Sequence, residues 1–186
     1  MVKVHKLKIE PMTEESFKPF GEILDAKERP LDHRQFFPIN FQADVKTTVS
    51  AIWQPREGLT FNLLERHFGT SQSFIQLAGA PAVVAAAAPT DPTDPTAVPN
   101  PEDVHGFLID LSKGFSFYRG TWHSLNRHIL APPGATFVIM GSSPNPTQVV
   151  DYEKSFALSY KDLGSDKNPK RVDFKGKWGV IFEFGL

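Results

Sequence analysis

The sequence predicts a mainly β domain, a barrel of short strands with one short helix near its N-terminus. Three observations carry that expectation. Runs rich in β-branched and aromatic residues, such as Thr47–Trp53 and Ala135–Met140, recur between turn formers. The 186 residues include 16 Phe and 16 Pro at 40 % apolar content, a balance that suits strands and tight turns better than a helical bundle. Finally, Glu65 and His67 are two residues apart in a strand-like stretch, with Gln72 following a turn at Gly69–Ser71. Alternation puts Glu65 and His67 on one face and Arg66 on the other, and a hairpin would return Gln72 to the same pocket.

Taken in order, Val2, Val4, Leu7 and Ile9 nearly alternate, which predicts a first strand with a bulge at His5–Lys6. Pro11 and Thr13 open a short helix with Glu14 and Glu15 in its first turn; Phe17 and Phe20 should pack inward and Gly21 should end it. Gly21–Asp25 reads as a strand, the charged Lys27–Arg34 as a loop, and Gln35–Phe41 and Thr47–Trp53 as strands. Leu59–His67, Ser73–Leu77 and Ala82–Ala88 follow as strands, the small side chains of the last implying close packing against another layer or a subunit. Pro89–Pro101, with five prolines in 13 residues, can be neither helix nor sheet centre and is expected as an exposed hairpin connection. Val104–Leu111, Phe115–Arg119, Trp122–Leu130 and Ala135–Met140 complete the barrel. Phe156–Tyr160 is a further strand or a flank of the site, and the stretch 161–186 forms an extension that docks back on the barrel or on a second subunit. The whole is expected as one domain, 1–186, with 89–101 as an inserted loop.

Composition excludes several classes of function. A net charge of −1 without a long basic run argues against nucleic acid or an anionic membrane as partner. With no cysteine there is no disulfide, thiol nucleophile or thiolate zinc site. Ala82–Ala88 is far short of the about 20 apolar residues that span a bilayer, and the N-terminus lacks the apolar core of a signal peptide, so a soluble cytoplasmic protein is expected.

The spacing E65-x-H67-x4-Q72-x6-G79 resembles the first signature of the cupin superfamily, with two of three ligand types changed. Gly120-x2-His123 resembles the middle of the second. The expected ligand set is Glu65, His67, Gln72 and His123, around one divalent ion of the Ni, Zn, Mn or Fe kind, with a metal-free site as the alternative. ERH, Gln72 with Phe74–Ile75, YRGTWH, PMTEESFKPFGEIL and FFPIN together resemble the ureidoglycolate lyase family from about Leu7 to Met140. Phe68 and Gln76 stand where that family has prolines, Tyr118 and Ser124 where it has histidines, and Met140 where it has an acid. The resemblance implies a cupin-type double-stranded β-helix (jelly-roll) barrel, paired as a homodimer, acting on a small ureido acid of purine (allantoin) breakdown.

In that scheme ureidoglycolate is split to glyoxylate and urea. A retained Arg119 would hold the substrate carboxylate bidentately. Without a metal, His123 and His67 would be the acid/base pair, with Glu65 orienting and charging an imidazole; Tyr118 is a further proton donor. Asn40, Trp122 and Arg127 would line the substrate site, Arg127 because alternation sets it on the face of His123. Arg34 could also reach the barrel mouth. Each residue has a plainer reading: a satisfied core histidine for His67, an ion pair with Arg66 for Glu65, a solvated charge for Arg34 and Arg127. The alternatives for the whole are another small-molecule cupin enzyme (isomerase, hydrolase or metal-dependent oxygenase) and a non-catalytic module binding small carboxylates.

Overall fold

The structure, a computed structural model, describes residues 2–26, 33 and 36–185. Arg34, Gln35 and most of the expected loop Lys27–Arg34 lie outside the described residues.

The chain folds as two facing, curled sheets. The strands are β1 (Lys3–Pro11), β2 (Gly21–Leu24), β3 (Lys46–Pro55), β4 (Thr60–Phe61), β5 (Leu63–His67), β6 (Gln72–Gly79), β7 (Ala82–Ala87) and β8 (His105–Leu108). They continue with β9 (Gly114–Phe117), β10 (Trp122–Ser124), β11 (His128–Ile129), β12 (Gly134–Ser143), β13 (Thr147–Asp151), β14 (Phe156–Tyr160), β15 (Lys170–Asp173) and β16 (Val180–Gly185). The large sheet runs β15-β14-β13-β5-β10-β7-β8-β1-β16-β4, with β11 beside β7; the small sheet runs β2-β9-β6-β12-β3. This is the expected mainly β jelly-roll barrel.

A short helix, α1 (Glu14–Phe17), leads into β2. Thr13 caps it, its hydroxyl accepting from the Ser16 N–H at 3.1 Å. Phe17 and Phe20 drop into the space between the sheets and meet Phe74, Phe107, Phe115, Phe117 and Phe137 there. Each such ring removed from water stabilises the fold by roughly 2 kcal/mol, which is why the barrel closes around phenylalanine. A second core lies on the outer face of the large sheet, around Leu64, Trp122, Tyr152, Phe182 and Phe184. Strand β7 serves both: Ala82, Val84 and Ala86 face the first core and Val83, Ala85 and Ala87 the second. The layer its alanines pack against is therefore part of this chain.

Several local expectations are corrected. Strand β1 has no bulge at His5–Lys6; it pairs with β16 up to Lys8 and with β8 from Ile9. The helix is over by Phe17, and Gly21 opens β2, where a Cβ would lie 2.0 Å from the Ser116 carbonyl oxygen. Phe36–Phe41 is irregular rather than a strand. Trp122–Leu130 breaks in the middle, because the Ser124 hydroxyl donates to the Asn126 carbonyl and accepts from the Ala85 N–H, taking ladder groups out of register. Strand β13 falls in a stretch the sequence reading passed over. The tail does dock on the barrel, through β15 on β14 and β16 on β1.

The Pro-rich loop joins two antiparallel neighbours, β7 and β8, as a hairpin connection. It lies on the outer face, away from the space between the sheets. Arg66, fully buried, holds it there by donating to the Thr90, Asp91 and Asp94 carbonyls at 3.1–3.3 Å. Its Nε also donates to Gln148 Oε1 at 3.0 Å, and its guanidinium stacks 4.6 Å from the Trp122 ring. Among the described residues no helix is long and apolar enough to cross a membrane.

Candidate active site

Strand β5 supplies the first two groups. Alternation turns Glu65 and His67 inward and Arg66 outward, so the plainer reading of Glu65 as Arg66's ion-pair partner does not hold. Strand β10 pairs with β5 in a register that sets His123 directly opposite Glu65. One ligand atom from each of Glu65, His67 and His123 lies within 4.8 Å of the others, and all three residues are buried. Glu65 Oε1 is 3.7 Å from His67 Nε2 and 3.9 Å from His123 Nδ1.

Gln72 reaches the same place by a different route from the one expected. Strands β5 and β6 do not form a hairpin: β5 pairs with β10 and β13, and β6 with β9 and β12. The Phe68–Ser71 turn crosses from one sheet to the other, so Gln72 faces the triad from across the barrel. Gly79, at the far end of β6, has φ +106° and no room for a side chain: a Cβ would sit 2.4 Å from the Gly134 carbonyl oxygen. That gives the glycine of the motif its physical reason. Gly120, with φ +80°, makes the turn before His123, and its N–H donates to the His67 carbonyl at 3.0 Å.

The ring tautomers follow from the neighbours. The Thr147 hydroxyl gives its proton to the Asn145 carbonyl, so it accepts from His67 Nδ1 at 2.9 Å. His67 Nε2 then carries a lone pair. His123 Nδ1 donates to the Ser124 carbonyl at 3.1 Å, and its ring stacks on Phe117 at 4.5 Å. His67 Nε2, His123 Nε2 and Gln72 Oε1 are buried with no hydrogen-bond partner among the described residues. Three orphaned polar atoms beside a buried carboxylate constitute an unpaid desolvation cost unless a proton or a cation satisfies them.

Burial sets the charges. It pushes Glu65 up to about 7, against the opposing pull of the Arg127 charge. It pushes His67 down to about 4 and His123 well below the ordinary imidazole range. Both rings are therefore neutral at pH 7, the form that ligates metal, while Glu65 is poised between its two states.

Arg127 is the cation of the interior. It is 4 % exposed, and its guanidinium stacks 4.3 Å from the Phe74 ring. It makes no ion pair within 4 Å among the described residues, yet its charge is felt at Glu65, His67 and His123. It lines a cavity of about 460 Å³ with Ile52, Gln54, Leu63 and Leu125, a cavity to which Glu65, His67 and His123 do not contribute.

The other expected site residues are placed elsewhere. Phe117 points inward, so Tyr118 points away and lines a separate cleft with Glu22, Phe37 and Ile39. Asn40 is beside it, its backbone N–H donating to Glu22 at 2.8 Å. Arg119 is engaged bidentately with Asp44, at 2.8 and 3.1 Å. Trp122, the outward neighbour of His123, is in the second core and donates from its indole to Thr90. His105 and His128 lie outside the triad: His105 meets Glu10 at 3.3 Å, and His128 bonds the Gly58 carbonyl. Sequence reasoning missed Gln54, Asn145 and Thr147; the β-rich TQVV run at Thr147–Val150 was the one available signal.

The curled sheets thus gather a carboxylate, two neutral imidazoles and a guanidinium in the interior of a β-barrel. The family model described as ureidoglycolate lyase matches residues 4–158, and the chain belongs to that family. It is 32 % identical over 134 residues to a ureidoglycolate lyase of Azotobacter vinelandii, covering 63 % of this chain and 74 % of the relative. It is 29 % identical over 143 residues to that of Rhodobacter capsulatus, covering 71 % and 82 %. Among solved structures it is similar to a cupin-superfamily sugar phosphate isomerase from Silicibacter pomeroyi, at 14 % identity and a TM-score of 0.38 over 71 % of this chain and 70 % of that one. That last likeness is too slight to bear on the chemistry.

Proposed function

We propose that this protein is a lyase that cleaves the C–N bond of ureidoglycolate, releasing glyoxylate and urea, in the interior of the barrel. The observation that carries the reading is the buried Glu65–His67–His123 cluster with its orphaned ring nitrogens, in a chain of the ureidoglycolate lyase family.

The reaction takes the proton from the substrate hydroxyl, forms the aldehyde C=O, breaks the C–N bond and delivers a proton to the departing nitrogen. Arg127 would hold the substrate carboxylate; its near-complete burial and its stacking on Phe74, with no ion pair within 4 Å among the described residues, support that role. Arg119 is committed to Asp44 and does not meet that need. Glu65, held near 7, can accept the hydroxyl proton at neutral pH and return it to nitrogen. His67, with its Nε2 lone pair 3.7 Å from Glu65 Oε1, and His123, at 3.9 Å, flank it in the same buried space.

The same residues fit a divalent cation: Glu65, His67 and His123, with the Gln72 amide oxygen as a fourth donor, would hold it. When bound, it supplies Lewis-acid polarisation of the substrate hydroxyl. The exposed apolar row Val49, Trp53, Ile75 and Leu77 on the outer face of the small sheet supports a homodimer, which sedimentation velocity measures directly.

The deciding experiment is metal analysis of protein purified without chelator or tag metal, with glyoxylate release from ureidoglycolate measured on the same sample. Turnover with near-stoichiometric metal supports the liganded site, and turnover without it leaves Glu65 as the base. Metal without turnover points to another cupin enzyme, and neither to a carboxylate-binding module.

A further inference from the structure

Arg127 can hold a carboxylate only if its guanidinium is aimed, and a long side chain does not aim itself. The group that fixes it is on the opposite sheet. Gln54, on β3, is 6 % exposed, whereas both its neighbours, Trp53 and Pro55, face solvent. Among the described residues, the hydrogen bonds of its side-chain amide go to two successive residues. Its Oε1 accepts from the Arg127 backbone N–H at 3.2 Å and from Arg127 Nε at 2.8 Å. Its Nε2 donates to Asn126 Oδ1 at 3.1 Å.

The Nε bond fixes the plane of the guanidinium, and the Phe74 ring at 4.3 Å fixes its stacking face. The Nη1 and Nη2 edge is left with no hydrogen bond among the described residues. Arg127 also lines a cavity of about 460 Å³, and a guanidinium edge left unbonded is the geometry that accepts a carboxylate through two parallel N–H bonds.

We propose that Gln54 is a positioning residue: it locks the Nε side of Arg127 so that the Nη edge is presented to the carboxylate of the substrate. The substrate half of this inference rests on the lyase reading; the locking of Arg127 does not. The alternative is that Gln54 merely ties the two sheets together.

The test compares Gln54→Leu and Gln54→Glu with wild type by steady-state kinetics on ureidoglycolate and by the NMR signal of the Arg127 Nε–H, identified by its loss in Arg127→Lys. In Gln54→Leu the KM should rise about tenfold or more while kcat stays within about threefold, since uniform binding is what is lost. The Nε–H signal should shift and exchange faster with solvent. Gln54→Glu keeps an acceptor in place and should restore the protected signal. A lower Tm in Gln54→Leu with KM and the Nε–H signal both unmoved would overturn the proposal in favour of a sheet tie. A moved signal with unchanged KM would overturn its substrate half. If wild type does not turn over ureidoglycolate, the lyase reading fails, and the Nε–H signal alone still decides whether Gln54 positions Arg127.

Discussion

Glu65 and His123 are direct cross-strand partners, and Glu65 Oε1 lies 3.9 Å from His123 Nδ1 inside a barrel wall that leaves His123 fully buried. Register, not loop geometry, brings the carboxylate and the imidazole together. His123→Ala should therefore leave the sheet pairing intact and remove the chemistry. The expected result is a cooperative melt with a fall in kcat/KM of at least about a hundredfold, read as glyoxylate release. Near-normal turnover would make His123 a core residue that packs on Phe117.

Thr147 acts on His67 from the far side of the ring. Thr147→Val keeps the shape and removes the acceptor for Nδ1, releasing the tautomer that leaves the Nε2 lone pair free. Metal affinity, measured by competition with a chelator, should fall about tenfold to a hundredfold with little change in Tm. Unchanged affinity would show that packing alone orients the ring.

The pH dependence of the metal-free protein has two opposed parts. Glu65 is raised from 4.5 to about 7, so the folded state favours its proton and loses stability as pH rises through that window. His67 is lowered from 6.5 to about 4, so its contribution is present above 6.5 and lost as pH falls. Between them the slopes partly cancel. Glu65→Gln removes the first and keeps the second. Its stability advantage over wild type should widen from pH 4.5 to 7 by up to roughly 3 kcal/mol in urea titrations. A gap that stays constant would mean Glu65 ionises without penalty.

Arg66 should be a stability residue with no part in turnover. Arg66→Met keeps apolar contact with Trp122 but strips the donors from the Thr90, Asp91 and Asp94 carbonyls. A loss of about 3 kcal/mol is expected, seen as a Tm lower by roughly 10 °C, with KM unchanged in the folded protein. A shifted KM would connect the outer loop to the interior site.

Much of the site could be read from alternation. Glu65 and His67 share a face because strands have period two, and that needs no tertiary information; Arg127 lies in the break between β10 and β11, where alternation no longer sets its direction. What alternation cannot supply is pairing. A five-residue step from His67 to Gln72 is compatible with a hairpin and with a crossing between sheets, and only the packing of both faces of β7 and β6 decides. Thr147 and Gln54 were invisible for a related reason: each contacts its partner across more than 70 positions of chain. Arg119 and Tyr118 are close to His123 along the sequence, yet Arg119 is bonded to Asp44 and Tyr118 lines a separate cleft, contacts that sequence neighbourhood does not reveal.

The crossing at Phe68–Ser71 has a mechanical consequence. Glu65, His67 and His123 belong to one sheet and Gln72 to the other, so anything bound by all four clasps the two halves of the barrel together. Loading the site and closing the fold then become a single equilibrium. A ligand present at a hundred times its dissociation constant would add about 2.7 kcal/mol of stability. The barrel would report on its own occupancy through its melting temperature, before any product is formed.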